Sequence, residues 1–459
     1  MRKVKQILIA AVIVISAMLC FSMNALALTE GDWEFQLLDN EVKITKYIGS
    51  DTEIVVPDTI YGVPVTGMDT YHVFDGTVED EITSIAFPKT LKTIPVVNEC
   101  GKLETVILPE GIENINQFAF MGSPSLKNIK LPESLKTIGW RAFEGCTSLK
   151  SINFPAGLES LGGEAFKGSG LETVDMSMTS LALTEEIFQD CKNLKSVKLS
   201  PTLKEIPRYA FGYCESLEYI DIPGSVTFIG NFAFVGCKSL KNIILPVSLQ
   251  KMHEFGMFSG CTSLEEVIIP YGTKFIGGHA FENCTNLKAV YIPDTVTSIG
   301  ILNIIENCPD AIVYCGNNSK TAEHCKKMSI SYLTDNSVNS GVHVYYNGKR
   351  ISFHSYGQNP GIMGGRTLVP LRSIFEAMGA EVEWDGATST AIAKRGNIEV
   401  KITIGANNIY KNGEAISVDV PAQLMNNRTM VPARVIAEAF GADVQWNGNG
   451  RTVLISENR

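Results

Sequence analysis

Thiols are the side chains here whose type and spacing could most readily do chemistry. Beyond residue 27 the chain holds ten cysteines, and eight of them share one spacing. Cys100, Cys146, Cys191, Cys214, Cys237, Cys261, Cys284 and Cys308 fall, together with Ser123 and Ser169, at steps of 22 to 24 residues. An even number of cysteines in an exported chain suggests a disulfide framework, and neighbouring copies would bring alpha carbons near bonding range. Serine twice takes the same position, however, so the column reads as a small buried side chain filling a turn. Side chains in such a column run parallel, which predicts a mostly reduced ladder. Cys315 and Cys325 lie outside it and could bridge. With His324 they lack a fourth ligand at zinc spacing, so no metal ligand set is expected.

Other reactive groups do not converge. His72, His253, His279, His324, His343 and His354 are scattered, with no H-E-x-x-H, no phosphate-binding glycine loop and no G-x-S-x-G. No catalytic and no cofactor-binding residues are expected. Two arginine and tryptophan pairs recur at an offset of 62 residues, Arg366 with Trp384 and Arg428 with Trp446. Structural support is the plainer reading of these four. The sharper one is a site for a carbohydrate or wall polymer.

The elements that must position these groups are set by the repeat. Between Phe143 and Phe166, Ile152 and Phe154 alternate with Ser151 and Asn153, the period-two pattern of a short strand. Pro155 lacks an amide hydrogen and ends it. Leu158, Leu161, Ala165 and Phe166 form a return arm, with Gly162 supplying a turn and the Ala-Phe pair closing a short helical or irregular corner. One copy cannot bury so many apolar side chains, whereas stacked copies cover one another. Phe120, Phe143, Phe166, Phe188, Phe211, Phe234, Phe258 and Phe281 occupy one column, read as a buried stack.

A period of this length with leucine, isoleucine and phenylalanine at fixed offsets predicts a leucine-rich-repeat solenoid. The pattern C-x-x-L-x-x-I-x-[IL]-P-x-[ST]-L-x-x-I-G-x-x-A-F resembles the BspA-like class of bacterial surface proteins, over about residues 30 to 333. The resemblance implies a secreted or surface-attached binding protein, often linked to adhesion, with no catalytic residues to carry over.

From residue 342 a different duplication takes over. Arg366-Thr367-Leu368-Val369-Pro370 returns as Arg428-Thr429-Met430-Val431-Pro432, each leading into a helix, Ser373 to Met378 and Val435 to Phe440, and then a strand, Glu381 to Trp384 and Asp443 to Trp446. Gly379 and Gly441 stand where a helix stops with positive φ, and Asn347-Gly348 and Asn412-Gly413 read as hairpin turns. Arg372 with Glu376, and Arg434 with Glu438, are spaced for helical ion pairs. This block resembles the copper amine oxidase N-terminal-like, or stalk, domain. In the oxidases that domain lies away from the copper, so no activity follows from the name.

The expected architecture is a β-rich leucine-rich-repeat solenoid followed by a small α+β domain with an internal duplication. Residues 1–27 read as a signal peptide, with Arg2, Lys3 and Lys5 before an apolar run and Ala25-Leu26-Ala27 at the cleavage site. Residues 28–80 read as an N-terminal cap, 81–314 as the repeats, 315–333 as a C-terminal cap, 334–341 as a polar linker and 342–459 as the stalk domain. No transmembrane span is expected in the mature chain. No sortase-type motif or apolar anchor follows Trp446, so attachment is expected to be non-covalent.

Charge narrows the partners. The net charge of −10 becomes −13 without the three leader cations, and basic and acidic residues are mixed along the chain. Nucleic acid is therefore not an expected partner. Residues 342–459 hold 12 Lys and Arg against 10 Asp and Glu, so this half is the better match to an anionic cell wall.

Along the array the outward strand position reads Ile107, Lys130, Asn153, Asp175, Lys198, Asp221, Ile244, Ile268, Tyr291. Its end is apolar. Ile244, Ile268, Tyr291 and Val313, with Tyr219 in the neighbouring column, form a candidate binding patch, facing either an extracellular protein or glycan ligand or the stalk domain of the same chain. The function expected is a non-enzymatic, adhesin-like binding protein, secreted or cell-wall associated. A self-associating structural component is the second class, and an extracellular enzyme the third.

Overall fold

The computed structural model describes residues 28–457, apart from 39, 72, 75–78, 318, 340, 352 and 354–357. The expected signal peptide, His72 and His354 lie outside the described residues. The chain divides into two compact units, one running to Ser200 and including Pro207–Leu217, the other formed by Pro201–Ile206 and Glu218–Arg459. The division falls within the repeats.

The first unit opens with an antiparallel pair, Trp33–Leu38 and Glu41–Tyr47, bulged at Glu34 and Phe35. Glu41–Tyr47 then pairs in parallel with Val63–Met68. Most following coils add one short strand to each of two parallel sheets. Glu53–Val55, Ser84–Ala86, Thr105–Ile107 and Asn128–Ile129 line one, and Thr93–Ile94, Asn114–Ile115, Thr137–Ile138 and Ser160–Leu161 the other. Tandem β-branched and polar residues in two- and three-residue strands suit a ladder in which one side chain in two is buried.

The phenylalanines stack as the spacing predicts. Ring centroids lie 5.4 Å apart for Phe120 and Phe143, 5.3 Å for Phe143 and Phe166, and 5.7 Å for Phe166 and Phe188 and for Phe188 and Phe211. All five rings are fully buried. The corner before each ring is a turn, not a helix, and it holds a residue at positive φ: Phe118, Arg141, Glu164, Glu186 and Tyr209. Gly139 and Gly162 serve a different end from the expected turn. A Cβ on Gly162 would fall 2.3 Å from the Trp140 amide nitrogen of the preceding coil, so only glycine allows the coils this close.

One strand expected from sequence does not form. Residues 151–155 carry no strand, because Asn153 puts its side chain where the ladder would run. Its amide oxygen accepts from the Leu131 N–H at 3.0 Å and its amide nitrogen donates to the Leu131 carbonyl at 2.9 Å. The side chain satisfies the groups a strand would have satisfied.

The thiols complete the interior. Cys146 donates to the Phe120 carbonyl at 3.2 Å, Cys191 to Phe166 at 3.1 Å and Cys214 to Phe188 at 3.1 Å. The same contact recurs in the second unit, where Cys261, Cys284 and Cys308 donate to Phe234, Phe258 and Phe281. Among the described residues all ten cysteines are buried thiols outside any disulfide, Cys315 and Cys325 included.

In the second unit, Glu266–Ile268, Ala289–Ile292, Ile312–Cys315 and Tyr332–Thr334 form a parallel sheet. A helix, α1 (Lys320–Met328), follows the last coil, capped by Ser319 accepting from the Ala322 N–H and by Ser329 at φ 55. Asn339 accepts from the Asp294 N–H at 2.8 Å and donates to its carboxylate at 3.0 Å, and Val338 is buried.

The C-terminal domain is built on its duplication. Arg366–Pro370 pairs antiparallel with Arg428–Pro432 in the register Val369 to Val431, so the two copies meet about a local twofold. Each copy continues into a helix, α2 (Leu371–Ala377) and α3 (Ala433–Ala439). Gly379 and Gly441 end them at φ 75 and 84. Phe375 and Phe440 meet edge to face at 5.3 Å. Arg395 donates to the Met378 carbonyl and to the Phe440 carbonyl, both at 2.9 Å, while pairing with Glu457, so one guanidinium closes both helix ends.

Two outcomes are expected. Thiol titration of the native chain should find all ten cysteines beyond residue 27 unreactive, and reactive once the chain is unfolded, with or without prior reduction. Arg395→Ala leaves two helix ends and a carboxylate without their partner and should lower stability by roughly 2–4 kcal/mol in denaturant unfolding.

Candidate functional site

The outward column is positioned by strand register. Ile268 pairs with Tyr291, and Tyr291 with Tyr314. The bridge from Asn242 to Glu266 carries Ile244 into line with Ile268. Val313, expected on this column, instead pairs with Val290 and is fully buried. The step from the preceding coil is 23 residues, which places Tyr314 on the column, where its ring stacks on Tyr291 at 4.8 Å. Tyr219 remains 54% exposed.

The structure brings Ile244, Ile268 and Tyr291 together and sets the C-terminal domain over them. The Arg350 guanidinium lies 4.1 Å above the Tyr291 ring. Val247 donates its N–H to the Asn449 carbonyl at 2.6 Å. Gly450 comes so close to Ile244 that a Cβ there would lie 2.2 Å from its Cγ2. Ile244, Ile268, His343, Tyr345 and Gly450 surround a cavity of only 20 Å³, room for little more than one water.

Polar groups are buried in this seam. Burial raises the Glu266 carboxyl above its ordinary range, and the Tyr345 hydroxyl and the Arg350 charge partly offset that. Tyr345 is raised well above its ordinary value, first by burial and then by Glu266. His343, on the strand His343–Tyr346, is pushed down to about 3 by burial, with the Arg350 charge adding to it. The Cys146 and Cys191 thiols shift in the same sense as other buried acids, pushed up to about 12. A thiol so protonated is a poor nucleophile.

A metal-capable group was not expected from the sequence, but the fold assembles one. Nδ1 of His279 lies 3.2 Å from Glu306 and 3.8 Å from Glu282, and the three ligand atoms fall within 4.8 Å of one another. Glu306 belongs to the next coil, so no spacing along the chain reveals the group. Arg141 with Glu144 and Glu164, and Lys167 with Glu164 and Glu186, repeat the arrangement in the first unit. There it is a charge ladder between coils.

The four arginines and tryptophans singled out by the duplication separate into two grooves, each composite. Arg366 lines a groove of 690 Å³ with Arg434 and Trp446. Arg428 lines one of 590 Å³ with Arg372 and Trp384. The expected helical ion pairs form loosely, at 3.9 Å for Arg372 and Glu376 and 4.0 Å for Arg434 and Glu438. Among the described residues no helix is long and apolar enough to cross a membrane.

Acid should weaken the packing around His343. A histidine held below its ordinary 6.5 is neutral in the folded chain and charged in the unfolded one. Its contribution is therefore complete above pH 6.5 and is lost as pH falls towards 3. Glu266, raised from its ordinary 4.5, acts oppositely, contributing at low pH and losing that contribution as pH rises. Between pH 7.5 and 4.5 the unit should lose roughly 2 kcal/mol through His343. His343→Gln should flatten that slope in urea unfolding; an unchanged slope would contradict the assignment.

Comparison with known proteins accords with this geometry. Residues 345–455 match the copper amine oxidase N-terminal domain. Residues 72–195 and 181–311 match the BspA type leucine rich repeat region. No curated protein matches the chain. Among solved structures, a leucine-rich repeat protein from Bacteroides ovatus is 23% identical, with 67% of this chain and 99% of that one covered, at a TM-score of 0.48. A leucine rich cell surface protein from Faecalibacterium prausnitzii is 22% identical over 68% and 99% at 0.40. The T. pallidum leucine rich repeat protein is 27% identical over 47% and 92% at 0.36. With more than half its length in the matched repeats, the chain belongs to the BspA type leucine rich repeat family.

Proposed function

We propose that the chain is a non-enzymatic, adhesin-like binding protein, secreted or cell-wall associated. The repeats act as its recognition surface, and the C-terminal domain as a spacer or wall contact. One observation carries the reading. Each coil spends its apolar side chains on its neighbours and leaves an outward side chain on its strand face. In the first unit the row presents Val55 and Ile107, 73% and 56% exposed, then Lys130, Asp175 and Lys198. Asp175 and Lys198 pair across coils at 3.1 Å, and exposed pairs of this kind add little stability, so their value lies in what they offer a partner. The apolar end of the column is occupied by the chain's own domain. A protein or glycan ligand is therefore expected on the charged part of the row. The BspA-like resemblance supports an extracellular setting.

The test is capture of the full chain by host-matrix and cell-wall fractions. Lys130→Glu with Lys198→Glu should weaken capture about tenfold, or about 1.4 kcal/mol, while leaving thermal unfolding unchanged. Equal capture by the variant would remove this row as the surface. Concentration-dependent assembly in sedimentation would favour a self-associating structural component instead.

A further inference from the structure

The two composite grooves of the C-terminal domain are copies of one another, and we infer that they bind an acidic polysaccharide carrying carboxylates on its sugar rings. This rests on the wall-contact role proposed above. The pairing of Arg366–Pro370 with Arg428–Pro432 carries the hairpin of each copy across to the helix and tryptophan strand of the other. Each groove therefore joins a hairpin arginine from one copy, a helix arginine from the other and that copy's tryptophan. The arrangement occurs twice, although core packing needs none of these side chains.

The chemistry of the lining selects the ligand. Trp384 and Trp446 are 48% and 40% exposed. An open indole offers an apolar face that stacks on the C–H face of a pyranose ring. Each lining holds two guanidinium groups and one carboxylate, Asp419 in the larger groove and Glu383 in the smaller, and the helix arginines Arg434 and Arg372 are held only loosely by Glu438 and Glu376 at 4.0 and 3.9 Å. Asp419 pairs with Arg366 at 2.5 Å and fixes where that guanidinium points. A planar guanidinium matches a carboxylate with two parallel hydrogen bonds. Ring stacking beside a carboxylate fork selects a uronic-acid-type sugar over a linear phosphate polymer, which has no ring to stack. Volumes of 690 and 590 Å³ lie within the range of small-ligand sites and suit one or two sugar units each. Two equal sites on one domain favour a polymer, because the second engagement is intramolecular.

The test uses the full chain on immobilised polygalacturonate, with a neutral dextran matrix and a proline-rich peptide as the other arms. Retention on polygalacturonate, absent on dextran, should fall at least tenfold in the Trp384→Ala, Trp446→Ala double variant and by less in either single variant. Arg428→Lys keeps the charge and removes the fork, and should also weaken retention. Unchanged thermal unfolding checks that the exposed substitutions leave the fold intact, and Trp→Phe at both positions, which keeps a stacking face, should restore part of the retention. Equal retention on dextran, retention only by the proline-rich peptide, no retention at all, or a double variant equal to the parent would each overturn the inference. Persistent capture by wall fractions with no polygalacturonate binding would sink this ligand and leave the wall-contact role standing. Polygalacturonate binding without wall capture would do the reverse.

Discussion

The distance between successive phenylalanine rings, 5.3 to 5.7 Å, is the constraint on which the rest of the solenoid depends. No coil can bury its own ring, so each must approach its neighbour closely enough to cover it. That approach decides what can occupy every other position. It forces glycine at residues 139 and 162, where any side chain would strike backbone. It admits a thiol or a serine beside the ring but nothing larger, and it sets the thiol within reach of one carbonyl in the coil before. The exchange of cysteine for serine at residues 123 and 169 follows from volume: the buried Ser123 hydroxyl has no hydrogen-bond partner among the described residues, and that of Ser169 lies 3.3 Å from the Cys191 thiol.

Features that depend on one residue type at one spacing were legible in the sequence. The ring column, the thiol column, the helix stops at Gly379 and Gly441, and the hairpins at Asn347-Gly348 and Asn412-Gly413 all follow from local rules, and the backbone shows positive φ at each of those turn residues. Features that depend on which residues face each other across coils were not. Asn153 reads as an outward strand residue, and only the neighbouring coil shows that its amide replaces the ladder. Val313 slipped by one position because the sequence step between coils varies, and a slip of one in a strand turns a side chain to the opposite face. His279 gains its glutamates from its own coil and the next, which no linear motif records.

The two halves use repetition in different ways. The solenoid repeats by translation, so its coil-to-coil contacts run between neighbours and one column of side chains faces outward. The C-terminal domain repeats once about a local twofold, so its copies exchange hairpins and close on each other. A translational repeat can vary its outward residues coil by coil without touching the core, and the row does change character from Lys130 and Asp175 to Ile268 and Tyr291. A twofold repeat cannot vary one copy without altering a groove shared with the other. Keeping Arg366, Arg428, Trp384 and Trp446 at matched positions therefore yields two like grooves from one set of rules.

That difference explains why the seam lies where it does. An apolar run on the outward face is costly in water and gains about 25 cal/mol for each Å² removed from it. Ile244, Ile268 and Tyr291 supply that run, and Gly450, having no side chain, lets the turn at Asn449 settle on Ile244. Glu266 and Tyr345 are buried along with them, which apolar packing alone would not tolerate. The Arg350 cation reaches the Tyr291 ring and the neighbourhood of Glu266 from the same side, so one charge offsets the burial of a carboxylate while stacking on an aromatic face. The same cation works against His343, whose neutral form is the one the seam holds. The seam thus combines apolar contact at Ile244, Ile268 and Tyr291 with one arginine that serves both a ring and an acid.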